Sequence, residues 1–577
     1  MPGINRVLII GIDGATFDLI QPWIDEGRLP NLRKIYEKGA SCVLNSTLPP
    51  NSAPAWTSLL TGMNPGKHGV YGFTRVEPMD GYAIKVNSGA RRRVPTAWQY
   101  LSTLGFRVIT LNVPMTYPPD PINGLVVTGI DAPGLDSEFT YPRELRKEIL
   151  HAIPDYLLDV RSWGVMLKGE RRAHLFEDIL RMVESRRKLA LHLLHTRDWD
   201  FFTVVFTASD RVQHFFWRFL DPDHPLYEAV EALKYQDAIL KVYKQIDLAI
   251  GEILAVCEEG IDLIVMSDHG FGPQRRLFRI NQWLFENGYL KLLDASKNGF
   301  LPRAGISADG RIYSGLIWLI NFARAALSDT KKDRLKRLFP RLRERIASLE
   351  ALSMIDWQTT KAYHTTEFPG AIRVNKRGRE VQGIVNSGEE YETLCDSIRQ
   401  DLEIVTDPET GRRIIEKVYR REELYWGPYM ELAPDLIVSP ADYSYTFDWR
   451  IPVRSSGRAK YPPLIDHLTS EYSANCGAHR PEGILMLNGR HIRQGVRLEL
   501  ANIYDVMPTA LYLAGVPLLK EMDGRILTEA ILPEFLSSHP CVFAEQIPIE
   551  AKNSREEIYS REEADLLAER LRDLGYL

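Results

Sequence analysis

The chain has 577 residues, of which 45% are apolar and 25% charged, with a formal net charge of -5. That balance is ordinary for a globular protein, excludes a fibrous or low-complexity chain and gives no overall pull toward nucleic acid. The length exceeds one compact core, so a large domain with sizeable insertions, or two domains, is expected. Five cysteines (42, 257, 395, 476 and 541) are few, odd in number and widely spaced, which argues against a disulfide framework and against a zinc ribbon. No stretch reaches the roughly 18 apolar residues of a membrane span. Residues 315–327 come nearest, but they are too short and contain Asn321 and Arg324. The first residues, MPGINRVLIIGIDG, read as a buried strand and not as a signal peptide, so a cytoplasmic protein is expected.

Strand-like runs alternate with helical patterns along the first half. VLIIGI (7–12) precedes a helical stretch through Lys38. GFRVITLN (105–112) follows a helix ending near Leu104, and GLVVTGID (124–131) comes next. DFFTVVFT (200–207) follows a charged helix over 173–195, and IDLIVMSD (261–268) follows a helix from about Tyr235 to Glu259. Continuous apolar strands separated by amphipathic helices indicate a mostly parallel sheet covered by helices on both faces. The pattern breaks after Gly272. Residues 280–355 read as helical and include a basic stretch at 331–345, while 370–460 mix short strands (AIRVN, DLIVSP) with turns. After about Glu471 the sheet pattern resumes with GILMLNG, followed by a helix, NIYDVMPTALYLAG, and a terminal helix expected to dock on the core. The expected organisation is an α/β core over 1–274 and 471–577, with an insertion or cap over 275–470. The basic stretch reads as a solvated helix face. Arg91, Arg92 and Arg93 read either as a surface turn or as groups that steer an anionic substrate.

Chemistry concentrates at the ends of the apolar runs. Asp13 ends the first. Asp210 ends another, with His214 four residues on, and Asp268 and His269 end a third. His479 lies just before the last strand. The carboxyl ends of strands are where open α/β sheets hold ligands. Carboxylate oxygen and imidazole nitrogen suit zinc, manganese or iron. Six such groups are too many for one tetrahedral ion with an open position, and they divide naturally between two. Two ions clamp both the attacking and a phosphoryl oxygen of an in-line displacement, so a hydroxyl nucleophile is required beside them. Residues 44–73 offer Ser46, Thr47, Ser52, Thr57 and Ser58. Pro49, Pro50 and Pro54 predict that the next helix starts no earlier than about Ala55, which puts Ser52 just ahead of its N-terminus. There, unsatisfied amides and the helix dipole favour an anion.

Together these segments resemble the alkaline phosphatase superfamily and, within it, the type I phosphodiesterase/nucleotide pyrophosphatase family, over most of the chain. GIDGATFD looks like the first metal-binding strand, SAPAWTSLLTGMNPGKHGV like the nucleophile segment, SDRVQH like the D-x-x-x-H pair, SDHGF like the D-H-G pair and GAHRPEG like the final histidine segment. The resemblance implies an alkaline-phosphatase-like α/β core with a mixed helical and strand insertion. Counting back from Thr61-Gly62, it implies Ser52 as nucleophile. It implies one ion held by Asp13, Ser52, Asp268 and His269, and a second by Asp210, His214 and His479, with zinc expected and manganese as the alternative. The implied reaction is phosphodiester or pyrophosphate hydrolysis of a small-molecule ester or nucleotide through a phosphoserine. A phosphomonoesterase, or a hydrolase of phospholipid or phosphonate, is the alternative on the same fold. A non-catalytic, metal-stabilised binding protein is a third reading, against which the complete ligand set speaks.

Three departures narrow this. Many relatives carry a phosphoryl-binding asparagine where this chain has Phe73. The sulfatase signature C/S-x-P-x-R fails because Trp56 stands at the arginine position. The insertion follows the nucleophile at a greater distance than in the phosphoglycerate mutases.

Overall fold

A computed structural model describes residues 5–77, 79, 82–160, 169–257, 260–293, 354–448, 450, 463–469, 475–544 and 558–574. Ten strands form the main sheet: β1 Val7–Ile12, β2 Ala40–Asn45, β3 Val108–Val113, β4 Gly124–Thr128, β5 Thr140–Tyr141, β6 Phe201–Phe206, β7 Asp262–Met266, β8 Glu482–Gly489, β9 Val496–Arg497 and β10 Ala501–Asn502. Their order is β9-β2-β8-β7-β1-β6-β3-β4-β5, with β10 also paired to β2. The central strands β7, β1, β6, β3 and β4 run parallel. β8 returns from the far side of the insertion and lies antiparallel between β2 and β7.

The continuous apolar runs follow from two buried faces. Along β1, Leu8, Ile10 and Ile12 join one apolar cluster and Val7 and Ile9 the other. β6 repeats this, with Phe202, Val204 and Phe206 on one side and Phe201 and Val205 on the other. A strand buried on both faces has no polar positions to alternate with. Helices Glu170–Thr196, Ala208–Leu220 and Ala238–Val256 cover the first face, and Ser52–Thr61, Ala97–Thr103 and Val506–Leu513 the second. The terminal helix Arg561–Asp573 docks through Leu571, with Leu574 just beyond it, on the first face.

Between β7 and β8 the chain builds separate sheets. Ala362–His364, Ala371–Val374, Leu436–Pro440 and Ile415–Arg420 form an antiparallel sheet in that order, with helix Glu389–Glu403 against Ile415–Arg420. Arg276–Arg279 lies between Tyr445–Asp448 and Ile465–His467 in another. These elements share a third apolar cluster. The hairpin Thr74–Glu77/Ala83–Val86 also contributes to it: Tyr82 stacks on Trp357 at 3.7 Å and donates its hydroxyl to Asn375 Oδ1 at 2.8 Å. Of the helical reading over 280–355, the described part is one short helix, Ile280–Glu286. The basic stretch 331–345 and residues 315–327 lie outside the described residues.

Candidate active site and metal centre

Three neighbouring parallel strands bring three aspartates to one edge. Asp13 follows β1 and Asp268 follows β7. β6 stops at Phe206, so Asp210 lies in the first turn of helix Ala208–Leu220, and His214 sits one turn further on the same face. Gly14 takes a left-handed conformation (φ 67°) that turns the chain after Asp13 and points its N–H at Asp268 Oδ1, 3.3 Å away. Ser209 Oγ donates to the Asp13 carbonyl at 2.7 Å, tying the two strand ends together.

The helix carrying Ser52 starts earlier than expected. It spans Ser52–Thr61, with Asn51 as its cap: the Asn51 side chain accepts from the Ala53 N–H at 3.1 Å. Pro54 does not delay the start, because it falls in the first turn, where a missing N–H forfeits no intrahelical bond. Ser52 is therefore the first helical residue and is buried. Its Oγ lies 3.0 Å from His269 Nε2.

The three histidines share one arrangement. Nδ1 of His214 faces the Gly477 carbonyl at 3.1 Å, Nδ1 of His269 the Gly270 carbonyl at 3.0 Å, and Nδ1 of His479 the Pro50 carbonyl at 3.2 Å. A carbonyl only accepts, so each Nδ1 carries the proton and each Nε2 lone pair is left for the site. The Nε2 atoms of His214 and His479 are 3.0 Å apart, and Asp210 Oδ2 lies 3.4 Å from the first and 3.2 Å from the second. The ligand–ligand edge of a tetrahedral zinc site with ~2.0 Å bonds is about 3.3 Å. Asp13, Asp210 and His269 form a second convergent group, so Asp210 stands between both. Asp268 Oδ2 is 3.3 Å from His269 Nε2, and Asp13 Oδ1 is 3.8 Å from it.

Electrostatics favour cations here. Burial, then the neighbouring Asp268 and Asp210, push the Asp13 carboxyl well up. Burial and Asp210 push Asp268 up to about 7. Burial also works to raise Asp210, but His214 and Arg211 outweigh it and hold this carboxyl well below the usual range. Burial and then His479 push His269 down to about 4, and burial pulls His479 down as well. Asp13 Oδ1 and Asp268 Oδ2 are buried with no hydrogen-bond donor. Crowded carboxylates, orphaned oxygens and three inward Nε2 atoms fit divalent ions.

Several supporting groups had no sequence signal beyond their neighbours. Trp56 donates its indole N–H to Asp13 Oδ2 at 3.2 Å, linking the Ser52 helix to β1. Phe271 packs against His214 and His479, with ring centroids 4.7 and 5.4 Å apart. His68 lies under the Ser52 helix, with Nε2 3.0 Å from Ser58 Oγ, and burial takes its pKa down to about 3. Phe73 is buried in the apolar cluster that also holds Ala53 and Val70. Arg92 is buried and pairs with Asp120, and Arg93 lies over the Tyr429 ring at 5.7 Å.

The topology is that of an α/β protein with a mostly parallel sheet, and candidate carboxylate–imidazole groups gather at the ends of its central strands. Residues 7–461 match the profile of the type I phosphodiesterase/nucleotide pyrophosphatase family, and the chain belongs to that family of hydrolases. Similar solved structures include phosphonoacetate hydrolase from Sinorhizobium meliloti 1021 in complex with phosphonoformate (14% identity, TM-score 0.49, covering 88% of this chain and 96% of that one). Human ectonucleotide pyrophosphatase/phosphodiesterase 5 (12%, 0.44, 91% and 98%) and its murine counterpart (12%, 0.44, 89% and 95%) are also similar. No curated protein matches the sequence. Among the described residues no helix is long and apolar enough to cross a membrane.

Proposed function

We propose that the protein is a metal-dependent phosphodiesterase or nucleotide pyrophosphatase that works through a phosphoserine on Ser52. The observation that carries this reading is the buried Ser52 hydroxyl at a helix N-terminus, 3.0 Å from His269 Nε2 and beside two convergent carboxylate–imidazole groups. Asp13, Ser52, Asp268 and His269 would hold one ion, and Asp210, His214 and His479 the other. Zinc suits this nitrogen and oxygen set, and manganese is the alternative. Two such ions would favour the ionised serine and offset charge on the phosphoryl oxygens.

Ser52 Oγ, having lost its proton to solvent, forms a bond to phosphorus as the bond to the leaving oxygen breaks. The Ser52 and Ala53 end of the helix faces the anion with its positive pole. Water then attacks phosphorus, the Ser52–phosphorus bond breaks and Ser52 regains a proton. A small-molecule phosphate ester or nucleotide is the substrate class. We assign the core to 1–274 and 471–577 and the cap to 275–470, and place the protein in the cytoplasm.

Phe73 favours one second reading of the same site. A buried apolar ring stands where many relatives place an amide, so the phosphoryl contact differs and a phosphomonoester, phospholipid or phosphonate is the competing substrate. Replacing Ser52 by Ala should abolish turnover and the radiolabelled phosphoprotein while, with metal in excess, Asp13, Asp268 and His269 keep bound metal nearly unchanged. Full activity in that variant would remove Ser52 from the mechanism.

A further inference from the structure

Arg211 follows Asp210 in the first turn of helix Ala208–Leu220, and it is buried with 1% of its side chain exposed. Its Nε and Nη2 donate to Asp159 Oδ1 and Oδ2 at 3.0 and 2.9 Å, a two-pronged pairing in which the Asp159 side chain is also 1% exposed. The remaining terminal nitrogen, Nη1, donates to Asp210 Oδ1. Asp159 is itself held: its Oδ1 accepts from the Val160 N–H at 2.7 Å, and Arg186 donates to the carbonyls of Leu157 and Leu158 just before it.

We propose that the Asp159–Arg211 pair is a positioning device for Asp210. It grips Oδ1, so that Asp210 presents Oδ2 to His214 and His479. The inference rests on the two-ion reading above. Three features carry it. A planar guanidinium locked by a bidentate partner has one orientation, so its third donor has one direction. The chain Asp159–Arg211–Asp210 is sealed from water, where a buried charge persists only if its partners stay in place. Asp210 Oδ2, the oxygen turned away from Arg211, is the one that lies 3.4 and 3.2 Å from the two Nε2 atoms. Arg211 also balances charge: it is a buried cation shared between Asp159 and Asp210, and it leaves Asp210 Oδ2 for the site. It acts through Asp210, so it is a positioning residue and not a catalytic one.

The test is equilibrium binding of zinc, and separately of manganese, to the metal-stripped full chain, with kcat and KM on bis-p-nitrophenyl phosphate measured alongside. Wild type should bind two ions. Arg211→Met and Asp159→Asn should keep one tight ion and bind the other ~10–100-fold more weakly, the range seen when groups that orient a ligand are lost. Arg211→Lys, which keeps the charge without the fork, should fall between them and wild type. With metal limiting, kcat should fall more than KM rises, and added metal should restore part of it. If Arg211→Met does not fold, Asp159→Asn and Arg211→Lys decide. Variants that bind both ions with wild-type affinity, whatever their melting temperature, would overturn the proposal while leaving the two-ion reading intact. A wild type that binds fewer than two ions would overturn both.

Discussion

Asp268, with its carboxyl pushed up to about 7 by burial and by Asp210, and Asp13, also pushed up, keep protons that a cation must displace. Below about pH 7 a bound ion competes with the Asp268 proton, and above it the Asp268 carboxyl is already ionised. Metal affinity should therefore rise with pH through about 7 and then level off, with fewer protons released per ion at pH 8 than at pH 6. Calorimetric titrations in buffers of different ionisation enthalpy would show this, and a flat profile would argue that these carboxylates do not bind the ions. At this scale the residues that converge in the candidate site were largely legible. Asp13, Asp210, Asp268 and their histidines stand out because a charged group closes each apolar run. Trp56, Phe271 and Asp159 were not legible as supporting groups. Their roles depend on which strands become neighbours, and one sequence read segment by segment does not carry that. Gly11 shows the same dependence: a Cβ there would meet the Trp56 ring at 2.5 Å, a contact between residues on a strand and a distant helix.

The segment 425–429, between β7 and β8, straps the loops on either side of the Ser52 helix. Tyr425 donates its hydroxyl to the Leu48 carbonyl at 2.7 Å, just before the prolines that lead to Ser52. Trp426 donates its backbone N–H to Asn64 Oδ1 at 3.2 Å and its indole N–H to Asp523 Oδ1 at 2.9 Å. The Tyr429 N–H reaches the Gly66 carbonyl at 2.9 Å, and Tyr71 donates to the Tyr429 carbonyl at 2.9 Å. The loops that flank the Ser52 helix are thus held by a segment about 370 residues further along the chain. Tyr425→Phe removes one buried bond and leaves a carbonyl unpaired, so it should cost about 1–3 kcal/mol in chemical denaturation and lower kcat more than it raises KM. An unchanged kcat with the stability loss would confine the strap to folding. The central strands were read well because two-sided burial leaves an unbroken apolar run. The strand Ala40–Asn45 was missed because it is short and its run, ASCVLN, carries mixed polarity. The helix at Ser52 was begun three residues late, for the proline reason given above.

Across the whole molecule, distant parts of the chain complete the core. β8 enters beside β7 although some 215 residues separate the two strands, and the terminal helix closes over the loop after β4. There Arg570 donates to the carbonyls of Ile130, Ala132 and Pro133 at 3.1, 2.9 and 2.9 Å, and Tyr559 stacks on Tyr117 and donates to the Asp131 carbonyl at 2.7 Å. Burial lowers the Arg570 pKa, with the Asp159 charge opposing that shift and Arg211 adding to it. Arg570→Ala would strip partners from three carbonyls and should cost about 2–4 kcal/mol, measured by denaturant unfolding; an unaltered midpoint would mean the helix docks through its leucines alone. The architecture was foreseeable from alternating runs. The place of the Thr74–Glu77/Ala83–Val86 hairpin in the third apolar cluster was not, because its partners, Trp357 and Asn375, lie nearly 300 residues away.

In the proposed mechanism two divalent ions and Ser52 together cleave a phosphate diester. The most direct measurement is turnover of bis-p-nitrophenyl phosphate against p-nitrophenyl phosphate by metal-stripped protein, with zinc or manganese added back. The expected result is no turnover without metal, recovery with two equivalents and a preference for the diester. Diester turnover that survives complete metal removal would contradict it, and a clear preference for the monoester would move the assignment to a phosphatase.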